Sequence, residues 1–251
     1  MAPSLQALLD APIIELDTID STNNYAMRLI DADTAHAGLT ILARQQTRGK
    51  GQRERIWVDS PGESLLASFV CTPDCSVDEQ PIFNAASAVA VADVLAHLYE
   101  GWDIRIKWPN DIILNDKKAG GILIENVLRG NGWIYSIVGL GLNVLQGSFP
   151  TDLPNATSLW CASGKHFSLS AVFDAIRKEL LKRTHQPLNG NEVITEYNNY
   201  LFKRDQWQLF SDGVGEWTAY ILKVESNGQL QVRESNGEIS SYSHGTVLWK
   251  W

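Results

Sequence analysis

Hydrophobic positions along the chain change period several times, and each change marks an element. Ile13, Ile14, Leu16 and Ile19 predict a first strand, which ends at Asp20-Ser21-Thr22-Asn23-Asn24, where a helix carrying Tyr25, Ala26, Met27, Leu29 and Ile30 begins. Any of Asp20, Ser21 or Thr22 can cap that helix. Leu39 to Ala43 and Ser64 to Cys71 read as buried strands. Pro81 to Leu98 reads as a buried helix whose residues Ala85, Ala86, Ala88, Ala90 and Ala92 let neighbours approach closely. Ile104, Ile106 and Trp108 alternate with Arg105 and Lys107, so a strand there buries one face and turns two cations to the other. Pro109 interrupts pairing, Ile112, Ile113 and Leu114 resume it, Asn115-Asp116-Lys117 is turn chemistry, and Ala119 to Ile124 returns as a third strand. Trp133 to Val138 alternates and runs into Gly139-Leu-Gly-Leu-Asn143. Val172, Phe173, Ile176 and Leu180 recur at helical spacing within Ser170 to Thr184, and a second amphipathic helix spans Glu192 to Phe202.

From Lys203 onward the pattern shortens to strands at Trp207 to Phe210, Glu216 to Val224, Gln229 to Arg233, Glu238 to Tyr242 and Thr246 to Trp249. Asn227-Gly228 and Asn236-Gly237 are hairpin turns between them. The chain thus divides into a large domain over 1–202 and a small β domain over 203–251 that reads as an SH3-like barrel.

A length of 251 residues accommodates a full core without disulfides, and the three cysteines, Cys71, Cys75 and Cys161, form neither a disulfide framework nor a complete zinc site. They read as reduced thiols of a cytoplasmic protein. The start of the chain lacks a basic, then apolar, leader. Ala85 to Leu98 is the most apolar segment, but it contains Asp93 and His97 and is shorter than a membrane span. A formal charge of −8 argues against a general nucleic-acid binder, because neutralising phosphates needs a basic face. The five histidines form no metal-spaced pair.

Against that acidic background, two stretches concentrate cations and glycines. Gln46-Thr-Arg-Gly-Lys-Gly-Gln-Arg-Glu-Arg-Ile-Trp57 is either a basic surface loop or an anion cradle, in which backbone N–H groups face a ligand and Lys50, Arg53 and Arg55 supply charge. Lys107-Trp-Pro-Asn-Asp111 is followed, after six residues, by Lys118-Ala-Gly-Gly-Ile-Leu-Ile-Glu125. Paired glycines at Gly120 and Gly121 weaken a strand, so their presence points to a bulge or to close approach of a ligand or another backbone.

This last run closely resembles the central motif of biotin protein ligases. Ser21-Thr22-Asn23 looks like the first biotin-contacting motif of that family, Gln46 to Trp57 like its glycine- and arginine-rich loop, and Gly139-x-Gly141-x-Asn143 like its later glycine segment, although the two glycines also suit a β-turn. The loop departs from the family's usual form, with Lys50 and Gln52 in place of arginines and Glu54 in place of a glycine. The resemblance covers roughly Pro12 to Trp251, and what it implies is extensive. The expected fold is α/β (α+β), with a mixed, largely antiparallel sheet and helices, ahead of the SH3-like barrel. The expected activity joins biotin to ATP as biotinyl-5′-AMP and then transfers biotin to a lysine of a biotin carboxyl carrier protein.

By the same resemblance, biotin contacts fall to Ser21, Thr22, Asn23, Gln46, Gly49, Lys50, Gly51, Gln52, Lys118, Gly121, Gly139 and Gly141, and contacts to ATP or the adenylate to Trp57, Asn110, Asp111, Lys118 and Asn143. Lys118 is the first choice for stabilising the transferring phosphate, with Lys50 and Arg53, while Lys107 orients the reactants or Asp111. Mg²⁺ should accompany ATP without a dedicated metal site. With little chain before Ile13, the expectation is an enzyme that binds neither DNA nor membrane, as a monomer or a homodimer. Lipoate or octanoate ligation and a non-catalytic biotin-binding module are the alternative functions.

Overall fold

A computed structural model describes residues 3–52, 56–130 and 132–251. In chain order the elements are α1 (Leu5–Leu9), β1 (Ile13–Ile19), α2 (Thr22–Asp31), β2 (Thr40–Gln46), β3 (Ser64–Cys71), α3 (Gln80–Leu98), β4 (Ile104–Lys107), β5 (Asp111–Leu114), β6 (Lys117–Arg129) and β7 (Gly132–Asn143). There follow α4 (Leu159–Ser163), α5 (Leu169–Thr184), α6 (Gly190–Tyr200), β8 (Trp207–Ser211), β9 (Glu216–Val224), β10 (Leu230–Glu234), β11 (Ile239–Tyr242) and β12 (Leu248–Lys250).

The first seven strands form one sheet in the order β1-β2-β3-β7-β6-β5-β4. β1 pairs with β2 in parallel, and the other pairings in this sheet are antiparallel, so it is mixed and largely antiparallel. β3 is buried along its whole length. Its apolar run reflects cover on both faces, by α5 on one side and by α2 on the other. α3 is apolar all round, as expected of a helix enclosed by a core. The helical stretch Val77–Leu98 is apolar and long enough to cross a membrane, against the shorter segment expected, but two-thirds of it is buried inside the protein.

The remaining strands form a second, wholly antiparallel sheet in the order β11-β10-β9-β8-β12. It packs against the first through one continuous core that includes Ile106 and Trp108 from the large sheet and Ile221, Val224 and Leu230 from the small one. Trp108 Nε1 donates to Gly228 O (2.9 Å), and Asn198 at the end of α6 exchanges two hydrogen bonds with Val224.

Several details differ from the sequence pattern. Neither α1 nor α4 has enough residues to show a helical period. β6 runs well past Ile124. β7 continues without a break to Asn143, so Gly139 and Gly141 are strand residues paired with Leu123 and Gly121, and neither is a turn. Lys107 turns away from solvent, with only 9% of the residue exposed, because β12 covers that side of β4. The turn between β5 and β6 is as expected, with Asn115 and Asp116 both left-handed (φ 49° and 63°), a conformation these two residue types tolerate.

Candidate functional site

The C-terminal ends of β1 and β2, the start of α2, and strands β4 to β7 surround a cavity of about 510 Å³, closed at one side by β12. At its inner end, Ser21, Thr22 and Asn23 are nearly inaccessible to solvent. Ser21 occupies the N-cap position of α2 but makes no capping bond with its side chain. Its hydroxyl is therefore not committed to the helix. Asp20 is not the cap either. Arg28 and Asn24 engage its carboxylate, and the guanidinium holds that carboxyl well below the usual range.

Gln46, at the end of β2, accepts from both the backbone N–H (2.8 Å) and the hydroxyl (3.1 Å) of Thr22. Ser68 Oγ, buried in β3, lies 2.7 Å from Thr22 Oγ1 and 2.6 Å from Asn23 Oδ1. With one proton, it donates to one of these oxygens at a time. Asn23 Nδ2 in turn donates to Leu123 O (3.2 Å) and to Glu125 Oε2 (2.8 Å), and the other oxygen of Glu125 accepts from Lys50 Nζ (3.3 Å). A polar chain thus runs from the deepest part of the cavity to a cation of the loop. Ser68 and Glu125 carried no assigned role in the sequence, although a lone hydroxyl inside the apolar run of β3 is a signal that could have found Ser68.

The glycines act by closeness. A Cβ on Gly139 would lie 2.2 Å from Asn23 Oδ1, and one on Gly141 would lie 2.6 Å from Trp57 Cε2. Gly139 and Gly141 therefore seat Asn23 and the Trp57 ring. Gly120 is required by the neighbouring strand, since its Cβ would meet Gly141 O at 2.9 Å. At Gly121 a Cβ would find ordinary contacts of 3.5 Å or more, so nothing in the protein itself demands glycine there, and the residue faces the cavity. Gly49 is not in the cavity wall. Its carbonyl accepts from Trp57 N (2.9 Å), and it packs on the Trp57 backbone and beside the Gln46 amide.

Among the described residues, three lysines line the middle of the cavity: Lys50, Lys107 and Lys118. Lys118 Nζ sits 2.6 Å from Asp111 Oδ1, while its backbone is pinned by Asn155 and Thr157. Asp111 pairs with Lys118, and Lys107, in register with Asp111 across β4 and β5, also lies over the rings of Trp249 and Trp251. Asn110 and Asn143 both reach the cavity, but each spends its amide on backbone, Asn110 on Ile122 O and Asn143 on Thr157 O. They hold the walls together. Gly51 and Gln52 line the cavity beside Lys50, and the Trp57 indole N–H is buried with no acceptor among the described residues. Arg53, predicted to add charge, lies outside the described residues. Among the described residues there is no group of three His, Cys, Asp or Glu side chains fit to hold a metal ion.

The cavity therefore offers neutral hydroxyl and amide groups at one end, ammonium groups in its middle and indole rings along its walls. Such a site can read a polar uncharged head group and gather anionic groups beyond it.

Comparison with known proteins bears on this geometry. The sequence profile of the Biotin/lipoate A/B protein ligase family matches residues 15–143. The chain is 35% identical over 167 residues to the Bifunctional ligase/repressor BirA of Bacillus spizizenii, covering 65% of this chain and 51% of that protein. It is 36% identical over 127 residues to the Biotin--[acetyl-CoA-carboxylase] ligase of Paracoccus denitrificans, covering 50% of this chain and 51% of that protein. The chain thus spans about half the length of the curated relatives it matches. In fold it resembles the biotin protein ligase from Aquifex aeolicus solved in complex with biotin and ATP, with a TM-score of 0.78, 24% identity, and coverage of 95% of this chain and 98% of that one.

Proposed function

Because this chain belongs to the biotin/lipoate A/B protein ligase family, we propose that it is a biotin protein ligase, which activates biotin with ATP and transfers it to a lysine of a biotin carboxyl carrier protein. The observation that carries the reading is the sequence of chemistries in one cavity, from the Ser21, Thr22, Asn23 and Gln46 end to the lysines. A ureido ring, uncharged and bearing both donors and an acceptor, suits the inner end. The carboxylate of the same molecule then points toward the cations.

In the first step a biotin carboxylate oxygen attacks the α-phosphorus of ATP, the bond to the bridging oxygen breaks, and pyrophosphate leaves. Two anions must meet, so the barrier falls only where fixed positive charge faces the oxygens on which negative charge builds. Lys118 is placed for this by its pinned backbone and its contact with Asp111, and Lys50 and Lys107 border the same space. In the second step the uncharged amine of the carrier lysine attacks the acyl carbon of the mixed anhydride, and AMP leaves with the bonding pair as the amine loses a proton. Mg²⁺ would accompany ATP and shield its phosphates; among the described residues no group of three His, Cys, Asp or Glu side chains stands ready to hold it.

The Paracoccus denitrificans relative, named as a biotin ligase for acetyl-CoA carboxylase, supports this reading. Octanoate would present an alkyl end, and lipoate a dithiolane ring with no N–H or C=O group, to Ser21, Thr22 and Gln46, leaving buried polar groups without good partners, a strong ground for rejection. Calorimetric titration with biotin, octanoate and lipoate, followed by biotin-dependent ATP–pyrophosphate exchange, tests the proposal. Tight biotin binding with exchange is the expected result. Exchange supported equally by octanoate would move the assignment to an acyl ligase, and biotin binding without exchange would leave a binding module. The reading further places the enzyme in the cytoplasm and takes 203–251 as a second domain, in keeping with the switch at Phe202 from bonds with β4 to bonds with β9.

A further inference from the structure

Lys107 presents a problem of placement. An ammonium on a four-carbon stem loses much rotamer freedom if it is to face a phosphate in one geometry, so something must hold it. In this fold two of the groups that hold it, Trp249 and Trp251, come from the far end of the sequence. Lys107 Nζ lies 5.0 Å from the centre of the Trp249 ring and 5.5 Å from that of Trp251, both within the range of about 6 Å over which a ring face attracts a cation. The two tryptophans flank Lys250, which turns away to pair with Glu216. Phe202 backs both rings, at 5.9 Å and 5.1 Å between centres, and its own N–H donates to Ile106 O, one residue before Lys107.

The tail is fastened on its other side as well. Asn155 Nδ2 donates to Trp251 O (2.9 Å), while Asn155 O accepts from the backbone N–H of Lys118 (2.6 Å). The same short segment of chain thus ties the ring pair to the strand that carries Lys118. Among the described lysines of the cavity, Lys107 is also the least exposed. Indole faces attract an ammonium without adding a formal negative charge beside it, which suits a group meant to meet phosphate.

We infer that Trp249 and Trp251 are positioning residues that fix the Lys107 ammonium in the adenylation site, making the last strand of the small sheet part of the machinery for the first half-reaction. The inference rests on the proposed biotin-adenylating function.

Its test uses the full chain with Trp251→Leu, Lys107→Met and the double variant. Trp251→Leu is expected to lower the kcat of biotin-dependent ATP–pyrophosphate exchange by about tenfold while leaving biotin affinity unchanged, since only an interaction made at the reacting centre is removed. Trp251→Phe should recover most of the rate. In the Lys107→Met background, Trp251→Leu should cost little more. An unchanged kcat, or the same fold loss with and without Lys107, would overturn the inference. Should Trp251→Leu prove unfolded by circular dichroism, a tetrafluorinated tryptophan installed at 251 preserves shape while weakening the ring face, and an undiminished kcat would then refute the role. The contact is also readable without activity. Lys107 side-chain protons should resonate upfield in the parent protein and move back in Trp251→Leu. A parent protein that lacks exchange but shows this shift fails the functional proposal. Active parent protein without the shift fails the inference alone.

Discussion

At the scale of single residues, the site depends on atoms that are missing. Gly139 has no Cβ because Asn23 occupies its place, and Asn23 in turn connects Ser68, Leu123 and Glu125. Gly139→Ala should displace the Asn23 amide and unhook three elements at the inner end of the cavity. The expected outcome is biotin affinity weakened by roughly 10- to 100-fold, about one to two lost hydrogen bonds to buried polar groups, with a thermal midpoint changed by only a few degrees. Affinity equal to that of the parent protein in calorimetry would show that Asn23 is not held by this contact. Lys118→Ala removes a cation aimed at the reacting phosphate, and loss of one such group typically costs about 10²- to 10³-fold in kcat. Biotin-dependent exchange should fall by that order with a far smaller change in biotin binding. These two residues were legible for different reasons. Lys118 stands in a motif of recognisable spacing, whereas the part played by Gly139 required knowing what lies over it.

Secondary-structure elements are joined by two polar fixtures that do no chemistry. Arg177, buried in α5, donates to the carbonyls of Leu8, Leu9, Ala11 and Gly38 and to Thr40 Oγ1. It closes the open C-terminal end of α1 and fastens the loop before β2, whose far end carries Gln46. Arg177→Met keeps the stem and strands several buried carbonyls, so unfolding free energy should drop by about 2 to 4 kcal/mol. Denaturant titration checks this, and a loss below half a kcal/mol would mean that water replaces the guanidinium.

His185, just after α5, accepts from Thr72 N (3.2 Å) through Nε2 and faces Leu181 O (3.1 Å) through Nδ1, an arrangement that fits the neutral ring with its proton on Nδ1. Burial lowers its pKa below the ordinary 6.5. The unfolded chain therefore takes up a proton first on acidification. The stability due to this group is intact above pH 6.5 and is lost as pH falls from there through the lowered folded value. His185→Gln should flatten the stability profile across that window. An unaltered slope below pH 6.5 would assign the acid sensitivity elsewhere.

At the scale of the whole molecule, the large sheet and the small one share a core. The core is continuous from α3 through Trp108 to Ile221 and Leu230, and Asn198 and Trp108 add hydrogen bonds across the junction. Calorimetry should therefore show a single cooperative transition for both sheets. Asn198→Ala, which strands Val224 at the junction, should lower the midpoint without splitting the transition. Two resolved transitions in the parent protein would contradict the shared core.

The sequence by itself determined what local chemistry dictates: the strand and helix periods and the turns at Asn115-Asp116, Asn227-Gly228 and Asn236-Gly237, each readable because it depends on neighbours a few residues away. The grouping of Ser21 to Asn23, Gln46, Lys50 and Lys118 at one site was expected only through the resemblance of their motifs to those of biotin protein ligases. Tertiary structure alone decided that Lys107 is buried under tryptophans from the end of the chain, that Asp111 pairs with Lys118, that Gly49 serves the Trp57 backbone, and that Asn110 and Asn143 brace the walls. Each of these outcomes depends on which strand lies beside or above another. Periodicity carries no such information, because a side chain's partner across a sheet or between two sheets is set by packing of the entire chain.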